Sequence, residues 1–233
     1  MTDPRKAIFD AVRAAAPQGV FEDSGNILAL DNLLDALGVP RAGKVAGTHA
    51  LTRPGAFYDA VRKITGGMGQ AQVDSVNLIL QAGAVLPIGW MAYVLATAWH
   101  ESRFLPQEEW GKGDGKEYGK PAKYAKAPYG RGFVQLTWDY NYEWADRALG
   151  LNGALLKDFD MALQPRIAAE ILVTGMLQGA FTGKSLADYL DPAAPTTDQF
   201  TKARRIVNGN DRASMIAMHA VGFLDALKKG GFQ

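Results

Sequence analysis

Glu101 closes a long apolar stretch, and Glu108, Glu109 and Glu117 follow it in a segment crowded with glycine, lysine and tyrosine. Two carboxyl groups in unlike surroundings are what hydrolysis of a bond between sugars requires. One must be protonated to donate to the leaving oxygen, and the other ionised to activate water. Ala96, Ala98 and Trp99 precede Glu101 and Phe104 and Leu105 follow it, so its apolar neighbours suit the proton donor. The later glutamates lie among lysines and polar residues, which suit the base. Further on, Tyr129-Gly130-Arg131-Gly132-Phe133-Val134-Gln135-Leu136-Thr137 presents amides and hydroxyls beside glycines.

Taken singly, Glu101 reads as a helix-end residue paired with Arg103 or Arg131. His100 beside it reads as a structural hydrogen-bonding residue. The histidines are His49, His100 and His219, with no HxxxH or HExxH spacing, and there is no cysteine. A zinc hydrolase is therefore disfavoured and no metal or other cofactor is expected. The chain carries 25 basic and 24 acidic residues, a net charge of +1, so no global field draws it to nucleic acid or to an anionic membrane.

Helical signals dominate the elements that must position these groups. Asp3-Pro4 reads as a cap and first turn, with Ile8, Val12 and Ala15 behind it. Asp31 can cap a second helix bearing Leu33, Leu34 and Leu37, ended by Gly38 and Pro40. A third follows Pro54 and stops at Gly66-Gly67; a fourth covers about 70–82. The fifth, after Pro87, carries Ile88, Met91, Ala92, Leu95 and Trp99 on one stripe and ends at Glu101. Residues 78–99 are apolar enough to raise the question of a membrane span. Gln81, Gly83, Pro87 and Gly89 break them into two core helices instead. No hydrophobic signal-peptide core opens the chain.

From Phe104 to Gly132 neither helical nor strand period survives, and a long ordered loop is expected. Its five lysines from Lys112 to Lys126 read as a solvated face. Phe133–Thr137 alternates like a short strand. Helices resume at about 140–149, 165–178, 185–190, 197–207 and 211–228. Arg41-Ala42-Gly43-Lys44 and Gly47 resemble a linker, which divides the chain into a small helical element at 1–48 and a catalytic domain at 49–233.

The wording of two motifs resembles glycoside hydrolase family 19, which includes plant chitinases and many phage or prophage endolysins. The first is His100-Glu101-Ser102 after an Ala/Thr-rich helix. The second is Tyr129-Gly130-Arg131-Gly132-x-x-Gln135-Leu136-Thr137-x-x-Tyr140-Asn141-Tyr142. Arg205-Ile206-Val207-Asn208-Gly209 is similar to the family's Ile-x-Asn-Gly segment. Pro106-x-x-Glu109-Trp110-Gly111 and Tyr118-Gly119 look closer to the endolysin branch.

The resemblance implies that Glu101 is the general acid and Glu109 the second glutamate, with Glu117 in reserve. Thr137 is implied to hold the attacking water, and Gln135, Asn141 and Asn208 to bind sugar amides and hydroxyls. Tyr129, Arg131, His100 and Trp110 complete the expected substrate-binding set. In plant members an acidic residue and an arginine downstream of the Asn-Gly turn contact the active-site carboxylates. Asn208-Gly209-Asn210-Asp211-Arg212 is compressed, and Arg212 is the candidate for that arginine.

The expected architecture is mainly α and lysozyme-like, with a cleft between two helical lobes and a small β element at Phe133–Thr137. The expected function is inverting hydrolysis of β-1,4 bonds in peptidoglycan. The enzyme would be a monomeric endolysin, made in the host cytoplasm and released through a separate membrane-permeabilising protein. Stable membrane insertion and nucleic-acid binding are not expected. A chitinase and a non-catalytic glycan-binding protein of the same fold are the alternatives.

Overall fold

The computed structural model describes residues 4–20, 26, 30, 33–34 and 51–232. The chain separates into two compact units, Met1–Thr48 and His49–Gln233. In the first, helix α1 spans Pro4–Ala15 with Ile8 and Val12 half-buried. Asn26, Leu30, Leu33 and Leu34 are also helical, and Leu34 is buried. The expected caps Asp3 and Asp31, together with Leu37, Gly38, Pro40, the linker at 41–47 and His49, lie outside the described residues.

Proline and glycine set the helix ends of the second unit. Helix α2, Pro54–Thr65, starts with proline at a position that needs no amide donor. It ends where Gly66 turns left-handed and returns its N–H to the Arg62 carbonyl. Helix α3 spans Gln70–Ala82 and helix α4 Ile88–Ser102, so the apolar stretch is two helices broken at 83–87. Among the described residues, no helix is long and apolar enough to cross a membrane. The chain continues through α5, Asp139–Leu149, and α6, Ala154–Lys157, to α7, Pro165–Gln178. Helices α8, Thr197–Lys202, and α9, Ala213–Gly230, complete the order. The helical run expected over 197–207 changes pitch at Ala203, where Ala203–Ile206 tightens into a 3-10 turn. At 185–190 only Leu186–Asp188 forms, also as a 3-10 turn.

Helix α4 is the axis of the unit. Met91, Ala92, Val94, Leu95, Ala96 and Ala98 lose all contact with solvent, because α9 packs along it while also covering α2. Phe57, Val61 and Phe223 complete that layer. Each such large apolar side chain contributes about 1.5–3 kcal/mol. Helix α3 packs on α7 on another side. The outcome is a buried rod whose last turn emerges at the surface with Glu101 on it.

That emergence is sharp. Arg103 and Phe104 both take left-handed backbone angles, φ 54° and 61°, which non-glycine residues adopt only when their surroundings compel it. Here the compulsion is burial of Phe104 between Trp99 and Phe223, with ring centroids 5.5 and 5.7 Å away. Gln72 of α3 donates to the Arg103 carbonyl at 2.9 Å and so closes the helix end.

The β element differs from the expected one. Strand β1, Gln107–Glu108, pairs antiparallel with β2, Arg131–Gly132. Phe133–Gln135 is a turn closed by a bridge between Arg131 and Leu136. The alternation read over Phe133–Thr137 fails because Gln135 takes φ 56°, which no strand allows, and because Phe133 and its neighbour Val134 are both buried.

Candidate active site

The segment between β1 and β2 is ordered by charge. Arg131, expected to contact substrate, is 1 % exposed. Its Nε donates to Asp160 at 2.9 Å, and Nη1 donates to the carbonyls of Ala127 and Tyr129 and to the Tyr142 hydroxyl, each at 3.1 Å. Its guanidinium lies 3.6 Å from the Tyr129 ring centroid. Arg131 is therefore a hub for the loop and has no face to offer a sugar. Of the five lysines expected to form a solvated face, Lys112, Lys116, Lys120 and Lys123 are exposed and Lys126 is half-buried, and three of the five also make ion pairs. Lys112 pairs with Glu108, Lys123 with Glu143, and Lys126 with both Asp158 and Asp160.

The glycines of the Tyr-Gly-Arg-Gly motif have separate reasons. A Cβ on Gly130 would stand 2.8 Å from Gln135 Oε1 and 3.3 Å from Glu109 Cβ. Only glycine lets those two side chains close over the strand. Gly132 adopts φ +85°, with the Ala162 carbonyl 2.8 Å from where a side chain would start.

Glu109 stands at the end of β1. Its carboxylate accepts the Gly130 N–H at 3.1 Å and the Tyr118 hydroxyl at 3.0 Å, so both its partners are neutral donors. Its own N–H donates to the Gly130 carbonyl at 2.7 Å, which fixes the backbone beneath it. Glu108, one residue earlier, is engaged differently. It accepts from the Tyr129 hydroxyl at 2.7 Å and pairs with Lys112 at 3.0 Å. The Tyr129 hydrogen bond, then Lys112, holds its carboxyl below the usual range. Glu117 is exposed on a 3-10 turn at 117–119, and its carboxylate makes no hydrogen bond or ion pair among the described residues. The reserve assignment to Glu117 thus gains nothing from the geometry, since its neighbour Tyr118 is the one turned to Glu109.

Glu101 has neither of the partners expected of a structural helix-end residue. Its carboxylate accepts from Arg204 Nη1 at 2.5 Å. Arg204, missed in the sequence, is 2 % exposed and comes from the 3-10 turn before Asn208. A carboxylate in the last turn of a helix faces the negative end of its dipole, and a buried guanidinium offsets that. Glu101 is thus held by a charge and not by the apolar enclosure expected from Trp99 and Leu105. Arg212 does not take that place: its side chain is 63 % exposed, with Asp211 at 3.8 Å.

Hydrogen bonds run between the two carboxylates' elements. Gln107 of β1 donates to the Glu101 carbonyl at 3.3 Å, and Gln135 donates to the Gln107 carbonyl at 3.0 Å. Thr137 donates to the Gln135 carbonyl at 2.8 Å, and Asn141 to the Thr137 carbonyl at 2.7 Å. Gln135, Thr137 and Asn141 are half-buried, so their remaining polar atoms can meet a ligand. Asn208 is exposed and accepts the Gly209 N–H at 2.8 Å. Trp110 is 98 % exposed and offers a bare ring beside Glu109. Tyr129 spends its hydroxyl on Glu108, and Tyr142 is fully buried against Phe159. Both are packing residues.

His100 carries no structural hydrogen bond at Nδ1, which is buried without a partner among the described residues. Burial pushes its pKa down. Glu101 pulls the other way, and Arg204, Arg212 and Arg103 add to the lowering. The imidazole is neutral near pH 7. Among the described residues no cluster of acidic residues and histidines can hold a metal ion.

Backbone strain concentrates around the same residues. Arg103, Phe104, Gln135, Trp138 and Arg212 all have positive φ, and Trp138 at 75° is unusual for so bulky a residue. Arranged this way, the site can hold a polar chain on amides and an exposed indole, with two carboxylates bordering it.

No protein-family model matches the chain. An endochitinase of Arabidopsis thaliana is 32% identical over 149 residues, which are 60% of this chain and 48% of that protein. The chain thus spans about half the length of this curated relative. A solved structure of a glutamate-to-glutamine mutant of chitinase C is similar at a TM-score of 0.50 and 19% identity, covering 82% of this chain and 97% of that one. Chitinase C from Streptomyces griseus HUT6037 gives a TM-score of 0.48 at 19% identity, over 83% and 81% of the two chains. The chain has a mainly α, chitinase-like fold with a small two-stranded sheet.

Proposed function

We propose that this protein is a glycoside hydrolase that cleaves β-1,4 bonds between amino sugars by single displacement with inversion. Glu101 donates the proton to the leaving oxygen. Glu109 activates a water on the opposite face, and the Thr137 hydroxyl helps hold that water. Gln135, Asn141 and Asn208 bind amides and hydroxyls of the chain, and Trp110 stacks on a ring. The observation that carries this reading is that the two glutamates stand on elements tied by hydrogen bonds, Gln107 of β1 donating to the Glu101 carbonyl, with the half-buried polar groups of Gln135, Thr137 and Asn141 beside them.

For the substrate we favour bacterial peptidoglycan, with the enzyme acting as an endolysin after release through a separate membrane-permeabilising protein. The loop wording around Glu109-Trp110-Gly111 supports this branch. Chitin is the second reading, favoured by the endochitinase relative. Release of reducing ends from purified peptidoglycan and from chitin, by wild type and Glu101→Gln in parallel, tests both. Activity on peptidoglycan that vanishes in the variant is expected. Activity confined to chitin moves the assignment to the second reading, and silence on both polymers sinks the enzyme.

A further inference from the structure

Resting on that reading, we propose that Arg204 is a positioning residue that couples the turn carrying Asn208 to Glu101. One residue grips this turn at both ends. The Arg204 backbone carbonyl accepts the N–H groups of Val207 and Asn208 at 3.2 and 3.0 Å. Its side-chain Nε donates to the Asp211 carbonyl at 3.1 Å, where the turn closes. The same guanidinium then reaches Glu101 through Nη1 at 2.5 Å. The base of the turn is fixed from elsewhere, since Thr182 Oγ1 donates to the carbonyls of Arg205 and Ile206 at 2.7 and 3.1 Å. Arg205, by contrast, points outward to Asn210 Oδ1 at 3.3 Å.

A guanidinium is a planar, rigid fork, so its Nε and Nη1 bonds cannot adjust independently. Displacement of the Asp211 carbonyl must rotate the fork and carry the Glu101 carboxylate with it. A sugar seated on the exposed Asn208 amide steadies the turn, and through the fork it steadies the proton donor. Binding energy gained away from the scissile bond is thereby realised at the reacting carboxyl. Lysine keeps the charge but has no fork, which separates positioning from simple neutralisation.

The test is a double-mutant cycle in kcat with Arg204→Lys and Asn208→Ala, on whichever of a soluble chitin oligosaccharide or a peptidoglycan fragment the wild type cleaves. Arg204→Lys is expected to lower kcat about tenfold with KM within about twofold. Asn208→Ala is expected to lower kcat in the wild-type background and to leave it unchanged in the Arg204→Lys background. Equal losses in both backgrounds overturn the coupling. Thermal unfolding gives an arm independent of activity. Glu101→Gln, which strands the buried Arg204, is expected to lower Tm by about 4 °C or more. It is also expected to do so far less once Arg204 is lysine. If the wild type cleaves neither substrate the glycosidase reading falls, and this thermal cycle alone decides the inference. An unchanged Tm in Glu101→Gln overturns it, including where Arg204→Lys does not fold.

Discussion

The last turn of α4 and the short strand β1 each present one glutamate, and they do so by opposite means. Glu101 rides on a helix whose apolar residues are wholly enclosed, and its carboxylate is tied to a buried cation. Glu109 follows a two-residue strand, and its carboxylate rests on neutral donors from a loop held in place by Arg131 and Lys126. The first position is rigid because the core is dense, the second because ion pairs stitch it. The two sites should accordingly respond differently to removal of the same charge.

The largest effect expected is that of Glu101→Gln on turnover, a loss of about 10³-fold or more. The same change should cost about 2 kcal/mol of stability, since it leaves Arg204 without its counter-charge. Activity assay and chemical denaturation on one preparation check both at once. Glu109→Gln should lower kcat by about 10²-fold or more, yet shift stability by less than about 1 kcal/mol. Glutamine can turn its oxygen to the Gly130 N–H and its amide to the Tyr118 hydroxyl, which is able to accept. Equal stability losses in the two variants would erase the contrast.

Arg131→Met probes the stitching. It strands the Ala127 carbonyl and leaves Asp160 to Lys126 alone, while the Tyr142 hydroxyl keeps its bond to the Tyr129 carbonyl, at a cost of about 2 kcal/mol. Hydrogen exchange should rise between β1 and β2 and remain unchanged in α4. Loss of protection in both would mean that the loop and the helix are not separately held.

The smallest effect is in pH. Burial lowers the pKa of His100 and of His219 below the ordinary imidazole value of about 6.5. As pH falls, the unfolded chain therefore takes up protons before the folded one. The stability these residues contribute is fully present above about pH 6.5 and declines below it. His100→Gln should flatten the fall in Tm between neutral pH and the onset of carboxylate titration. A slope unchanged by the substitution would place the cause elsewhere.

Much of the scaffold was legible because prolines and glycines punctuate it. Pro54, Gly66, Pro87 and Pro165 each mark a helix end in the structure. The β element was misread at Phe133–Thr137, since alternation over five residues does not reveal the left-handed Gln135. At the site, Glu109, Gln135, Thr137 and Asn141 stand within one hydrogen-bonded region, and the last three were singled out by the motif's resemblance to a family, not by spacing. Arg131 and Arg204 were not legible. An arginine in a string of letters looks solvated, and only the fold decides which of Arg204 and Arg205 turns inward. In a 3-10 turn consecutive residues diverge by about 120°, so one is buried while the other is exposed.

The central claim is that Glu101 and Glu109 act as an inverting pair, and the anomeric form of the first product tests it most directly. Proton NMR during cleavage of a β-1,4-linked amino-sugar oligosaccharide should show the α-anomer appearing first, with the β-anomer growing only as the sugar mutarotates. A first product in the β form, or one ending in an anhydro sugar, would contradict the account.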